Sequence, residues 1–136
     1  MIETWIQPAN IKYFDVVEHF KKNKYAYWKK TNSINNNDVF YIYVASPYKE
    51  IKYKCKVIDS DVSYDEVYEH AKYAIRDTDT SRDIYIKIKL TEEYPEGTFK
   101  LEEIKKHYFG QVQVLSRADW RFKDYMTEVL EGIKHE

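Results

Sequence analysis

At 136 residues the chain has the length of one domain, enough for a single hydrophobic core and not for two. Its 22 basic and 23 acidic side chains leave a net charge of −1, which excludes a protein that holds nucleic acid by bulk charge alone. A single cysteine, Cys55, excludes an internal disulfide and a Cys-x-x-Cys metal cluster.

"TWIQP" (4–8) reads as a short first strand, with Trp5 inside it as a core residue. Asp15-Val-Val-Glu18 has capping-box spacing and starts a short amphipathic helix through Phe20. In "KYAYWKKTN" (24–32), Trp28 stands beside a basic pair at the mouth of the amide loop "NSINNND" (32–38). Two readings are open for it: a core tryptophan at the end of a short strand, or a stacking platform for a flat ligand.

"DVFYIYVAS" (38–46) is nearly continuous in apolar and aromatic residues, as a strand buried on both faces requires. "IKYKCKVI" (51–58) alternates, which places Ile51, Tyr53, Cys55 and Val57 on one face and lysines on the other. The loop "PYKE" between them makes 38–58 an antiparallel hairpin.

Ser63-Tyr-Asp-Glu66 is a second capping box, followed at helical spacing by Val67, Tyr68, Ala71 and Ile75. After the loop "TDTSRD" (78–83), "DIYIKIKLT" (83–91) alternates with Ile84, Ile86, Ile88 and Leu90 inward. Leu101, Ile104 and Tyr108 mark a third helix, and "QVQVL" (111–115) a short strand. Phe122, Tyr125, Met126, Val129, Leu130 and Ile133 form the broad stripe of a C-terminal helix, and Trp120 is either pocket rim or helix packing. Together these predict an α+β domain around a curved, mostly antiparallel sheet.

Catalytic motifs are missing. His19, His70, His107 and His135 show no metal-ligand spacing, and there is no Gly-x-Ser-x-Gly, phosphate loop or Cys-His signature. Glu92-Glu93 and Glu102-Glu103 sit beside lysines on polar faces, as solvated residues do. The expectation is a non-catalytic protein without metal or cofactor. "MIETWIQP" is no signal peptide, and no stretch approaches the roughly 20 apolar residues of a membrane span, so a cytoplasmic location is expected, with no membrane partner.

The order of these features resembles the EVE domains of the PUA-like superfamily, relatives of the ASCH domains and of the YTH readers of methylated adenine. The shared pattern runs from the first strand through a short helix, an aromatic segment ending in Trp28, and Asp38 opening "VFYIYV". "GQVQVLSRADWRFKDYM" (110–126) is similar to the family's downstream segment, with one departure: Gln113-Val114-Leu115 stands where many members read Gln-Gly-Pro. Val and Leu there suggest a regular strand at this edge.

The resemblance implies a PUA-like partial barrel flanked by helices, filling 1–136 as one domain. It also implies binding of DNA or RNA through a modified base, such as a methylated cytosine or adenine, in an aromatic pocket. EVE domains are often fused to an HNH nuclease as its reader; here a nuclease or other protein partner would be encoded separately. The residues the resemblance places at the ligand are Trp28 as platform, Asn10 at a base edge, Lys29, Lys30 and Lys49 at flanking phosphates, and Gln113 and Arg117 from the downstream loop. Simpler roles stand beside these: a turn residue for Asn10 and solvated side chains for Lys29 and Lys30. The alternative for the whole chain is a protein-interaction or structural domain of this fold without a base ligand.

Overall fold

The computed structural model describes residues 1–108 and 110–134; Phe109, His135 and Glu136 lie outside the described residues. In chain order the elements are β1 (Thr4–Ala9), α1 (Val16–Lys22), β2 (Tyr25–Lys29), β3 (Val39–Val44), β4 (Glu50–Ser63), α2 (Tyr64–His70), a 3-10 turn (Lys72–Ala74), β5 (Ile84–Glu93), α3 (Leu101–His107), β6 (Ser116–Arg117) and α4 (Trp120–Lys134). The six strands form one sheet in the order β2-β5-β4-β3-β1-β6. Every pairing is antiparallel except β1 with β3. The sheet curls without closing into a barrel.

Both expected helix N-caps form, but only as the forward half of a capping box. Asp15 accepts from the Glu18 N–H at 3.1 Å and Ser63 from the Glu66 N–H at 3.2 Å, each satisfying an orphan donor of the first turn, while the Glu18 carboxylate turns to Lys21 at 2.7 Å instead of reaching back to Asp15. α2 nevertheless stops at His70, so Ile75 packs from beyond the helix.

The sheet's concave face holds the main core: Trp5, Ala26, Phe40, Ile42, Tyr53, Cys55, Ile86 and Ile88, closed on one side by Val16 and Phe20 of α1. Burial pushes the Cys55 thiol well above its ordinary range, as fits a residue used for packing. On the convex face a second core joins Tyr41 and Tyr43 to α3 and α4, and a third joins Tyr85 to α2.

The alternation in "IKYKCKVI" is broken at one point. A bulge pairs Ile42 with Tyr53 but Tyr43 with Ile51, so Lys52 is the extra residue. Ile51 therefore turns to the second core, away from Tyr53, Cys55 and Val57. Ile84, expected inward, is 40% exposed at the start of β5. The expected strand at 111–115 is absent: Val114 is 52% exposed, and the Ser116 hydroxyl donates to the Gln111 carbonyl at 2.6 Å to tie off a loop. Pairing starts only at Ser116 and Arg117, opposite Ile6 and Trp5. No helix among the described residues is long and apolar enough to cross a membrane.

Candidate functional site

The edge strand β2 builds the site because its alternation splits two neighbouring rings. Ala26 and Trp28 point to the concave core while Tyr25 and Tyr27 point outward. Trp28 is half-buried. One side packs toward Phe40, with ring centroids 6.3 Å apart, and Phe14 meets it edge-on at 5.5 Å. Its remaining side walls a cleft.

That cleft has two adjoining lobes, of about 170 and 270 Å³. Gln7, Phe14, Trp28 and Arg76 line both. The inner lobe adds Tyr27, Tyr73 and Leu115, and the outer one reaches Pro8, Tyr13 and Asn10. Residues of β2 thus face residues of β1 and of the loop before β6. These are the two sides of the sheet that would pair in a closed barrel, so the cleft is the seam left by incomplete closure.

Its walls are aromatic. Phe14 and Tyr73 stack with centroids 4.6 Å apart and planes 14° from parallel. Burial pushes the Tyr73 phenol up to about 12, against the opposing pull of the Tyr27 backbone N–H, so the hydroxyl stays neutral across physiological pH. Gln7 donates Nε2 to the Pro8 carbonyl at 2.7 Å. Only the amide nitrogen can face a carbonyl, so Oε1 is left as an acceptor. Arg76 brings a cation to the mouth, its guanidinium 5.4 Å from the Tyr13 ring and within 3.4 Å of the Tyr13 carbonyl.

Of the expected site residues, the structure brings Trp28, Asn10 and Lys29 to this cleft. Asn10 acts as a turn residue there. Its Oδ1 accepts from Lys12 N at 3.0 Å, and its carbonyl accepts from Tyr13 and Phe14, which seats the Phe14 ring. Lys29 is neutralised by Asp79 at 3.0 Å and Asp83 at 3.5 Å, and Lys30 lies 3.5 Å from Asp61. Lys49 sits in the β3–β4 turn with φ of 52° and lines a separate hollow with Lys100 and Glu102. Gln113 is exposed and near the Tyr43 hydroxyl. Arg117 lies 5.2 Å from the Trp5 ring centroid, and Trp120 is 68% exposed on α4. Neither Gln113 nor Arg117 lines the cleft; their segment contributes Leu115 instead.

Gln7, Phe14, Tyr27, Tyr73 and Arg76 escaped the sequence reading. Tyr27 was within reach of it, being next to Trp28 on an edge strand. Tyr73 and Arg76 come from a segment more than 40 residues away, joined to the site only by folding.

Asp79 fixes that segment. Its carboxylate accepts from Lys29 Nζ, from the Arg76 N–H at 2.9 Å and from the buried Tyr85 hydroxyl at 2.8 Å. Burial alone pushes the carboxyl up, but these donors outweigh it and hold its pKa below the ordinary value. A depressed carboxylate stabilises the fold above its unfolded pKa of about 4, and that contribution fades as pH falls below it. Asp79→Ala is therefore expected to cost about 2–3 kcal/mol near neutral pH, chiefly by orphaning Tyr85 Oη and Arg76 N. Urea melts should show the gap between wild type and variant narrowing as pH falls below about 4, where the charge-dependent part of the contribution is lost. A gap that stays constant from pH 7 to pH 3 would contradict this role.

No family model matches the chain, and no curated protein matches it in sequence. Solved structures do match it in three dimensions. The ASCH protein from Zymomonas mobilis aligns with a TM-score of 0.66 at 9% identity, covering 93% of this chain and 94% of that one. A hypothetical protein from Leishmania major reaches 0.66 at 12% identity over 98% of both chains. A protein from Pseudomonas putida reaches 0.66 at 10% identity over 93% of this chain and 98% of that one. At such identities the likeness speaks for fold alone: this chain has the α+β architecture of the ASCH structures.

Proposed function

We propose that this protein is a nucleic-acid-binding domain of the EVE type that reads a modified nucleobase in the Trp28 cleft. The observation that carries the reading is the half-buried indole whose open side walls an aromatic slot at the seam of the sheet. A flat ring entering the slot meets the π-face of Trp28 beside the Phe14–Tyr73 pair. Stacking on such a face is worth about 1–3 kcal/mol per base. Extruding a base from a duplex costs a few kcal/mol, so stacking must be joined by hydrogen bonds and by exclusion of water. Gln7 Oε1 supplies an acceptor for an exocyclic amine, and Arg76 supplies a cation for the adjoining phosphate. A nuclease or other effector encoded separately is the natural partner of such a reader.

The test is a titration of intrinsic tryptophan fluorescence with short DNA and RNA strands. Each strand carries 5-methylcytosine, N6-methyladenine or the unmodified base in one fixed sequence. One modified strand is expected to quench more strongly, and at lower concentration, than its unmodified counterpart. Identical titrations for all strands would overturn base reading and favour a protein-interaction role for the same fold.

A further inference from the structure

The convex face of β2, β5 and β4 carries a pattern that the cleft does not use. Tyr25 and Tyr27 point outward from β2, Lys87 and Lys89 from β5, and Lys54 and Lys56 from β4, with α2 packed at one end and α3 and α4 at the other. The register sets them in rows: Tyr25 opposite Lys89 opposite Lys56, then Tyr27 opposite Lys87 opposite Asp59, with Lys54 opposite Glu92 at the margin. Lysines two apart on a strand stand about 7 Å apart, and three strands span about 10 Å.

Three features make this more than a solvated face. First, none of these four lysines has a carboxylate within 4 Å among the described residues, although Asp59 and Glu92 stand opposite Lys87 and Lys54, so their ammonium groups are open to an anion. Second, Lys56 stands directly opposite Lys89, a like-charge cross-strand pair that works against the sheet. Folding has no use for that arrangement; an anion lying across both does. Third, the rings are held ready. Lys87 Nζ lies 4.8 Å from the Tyr25 centroid and 5.7 Å from that of Tyr27, and Tyr25 is 41% exposed.

We infer that this face is a track for single-stranded nucleic acid. Lys56, Lys87 and Lys89 meet successive phosphates, and Tyr25 stacks on a base. Alternating rings and cations match the alternation of bases and phosphates along a strand. The track also joins the cleft, because Tyr27 belongs to both. It supplies the charge that Lys29 and Lys30, already paired with aspartates, do not. The inference goes beyond base reading: a protein that recognises no modification can still hold a strand here.

The test is fluorescence anisotropy with labelled, unmodified oligo(dT) and oligo(U) across a sodium chloride series. Wild type is expected to bind with log K falling linearly in log salt. Lys56→Gln with Lys89→Gln is expected to reduce the slope by about 1.4, at about 0.7 for each single-strand phosphate no longer neutralised. Tyr25→Ala should weaken binding about 5-fold or more at fixed salt. Lys105→Gln with Lys106→Gln, the same charge change on α3, should leave the slope alone. Equal slopes in the two double variants, or no single-strand binding by wild type at low salt, would overturn the track. So would tighter binding to phosphatidylserine vesicles, abolished in the Lys56/Lys89 variant. Discrimination between modified and unmodified strands is a separate readout, so failure of the cleft and failure of the track are told apart.

Discussion

Trp28→Ala is expected to abolish the preference for the modified strand while leaving its unmodified counterpart bound as before. Removing the platform takes away about 1–3 kcal/mol of stacking, which is about 5- to 150-fold in affinity. The unmodified strand gains little from the slot and should lose little. The indole also packs toward Phe40 and Phe14, so the variant gives up part of the core packing. Fully buried aromatic truncations cost about 3–5 kcal/mol; a half-buried one should cost about 2. A urea melt must therefore accompany the binding measurement, made by anisotropy because the fluorescent probe is gone. Trp28→Phe separates the two effects, keeping a π-face of smaller area and most of the packing. It should retain part of the preference. An unchanged affinity ratio in a folded Trp28→Ala protein would show that bases do not stack there.

Asp38→Ala is expected to be the most damaging single change to stability, at about 3–5 kcal/mol. Asp38 is fully buried and accepts three N–H groups: Glu3 N at 3.0 Å, the Trp5 indole at 2.9 Å and Asn35 N at 2.9 Å. Charge-assisted bonds of this kind contribute about 1.5–3 kcal/mol each, and alanine leaves three donors without a partner in a site water reaches poorly. One carboxylate thus pins the start of β1, the end of the amide loop and the entry to β3. Asp38→Asn keeps one acceptor but turns an NH₂ toward a donor, so it should recover only part of the stability. Urea midpoints read the cost, and the near-ultraviolet dichroism of Trp5 reports its loosened indole. A midpoint within about 1 kcal/mol of wild type would show that water replaces the carboxylate freely.

What was legible in the sequence was local. The two helix N-caps, the doubly buried "VFYIYV" strand and the apolar stripe of α4 from Phe122 to Leu130 each follow from spacing within one element, and all three appear in the structure; Ile133, expected in that stripe, is 51% exposed past the end of the core. Hidden were features set by partners far along the chain. The bulge at Lys52 reverses Ile51 because β4 must match β3 on one side and β5 on the other, which no single-strand period encodes. β6 forms at Ser116–Arg117 against Trp5 and Ile6 of β1, a partner more than 100 residues away, and not at the apolar run before it. Lys29 looked free because its neutralising Asp79 stands 50 residues away. Trp28 drew two readings, core or platform, and a half-buried indole on an edge strand packs toward the core on one side and lines the cleft on the other.

The rings that wall the cleft also shield β2. As a sheet edge, "YAYWK" offers outward amides in an aromatic segment with high strand propensity, a template on which a second copy could add. His19 Nε2 occupies the Tyr25 carbonyl at 2.7 Å, and the Tyr73 phenol packs beside the Tyr27 backbone. Substituting either side chain bares part of that ladder, so the first symptom of a damaged cleft would be turbidity on concentration, arriving before any drop in affinity is measured.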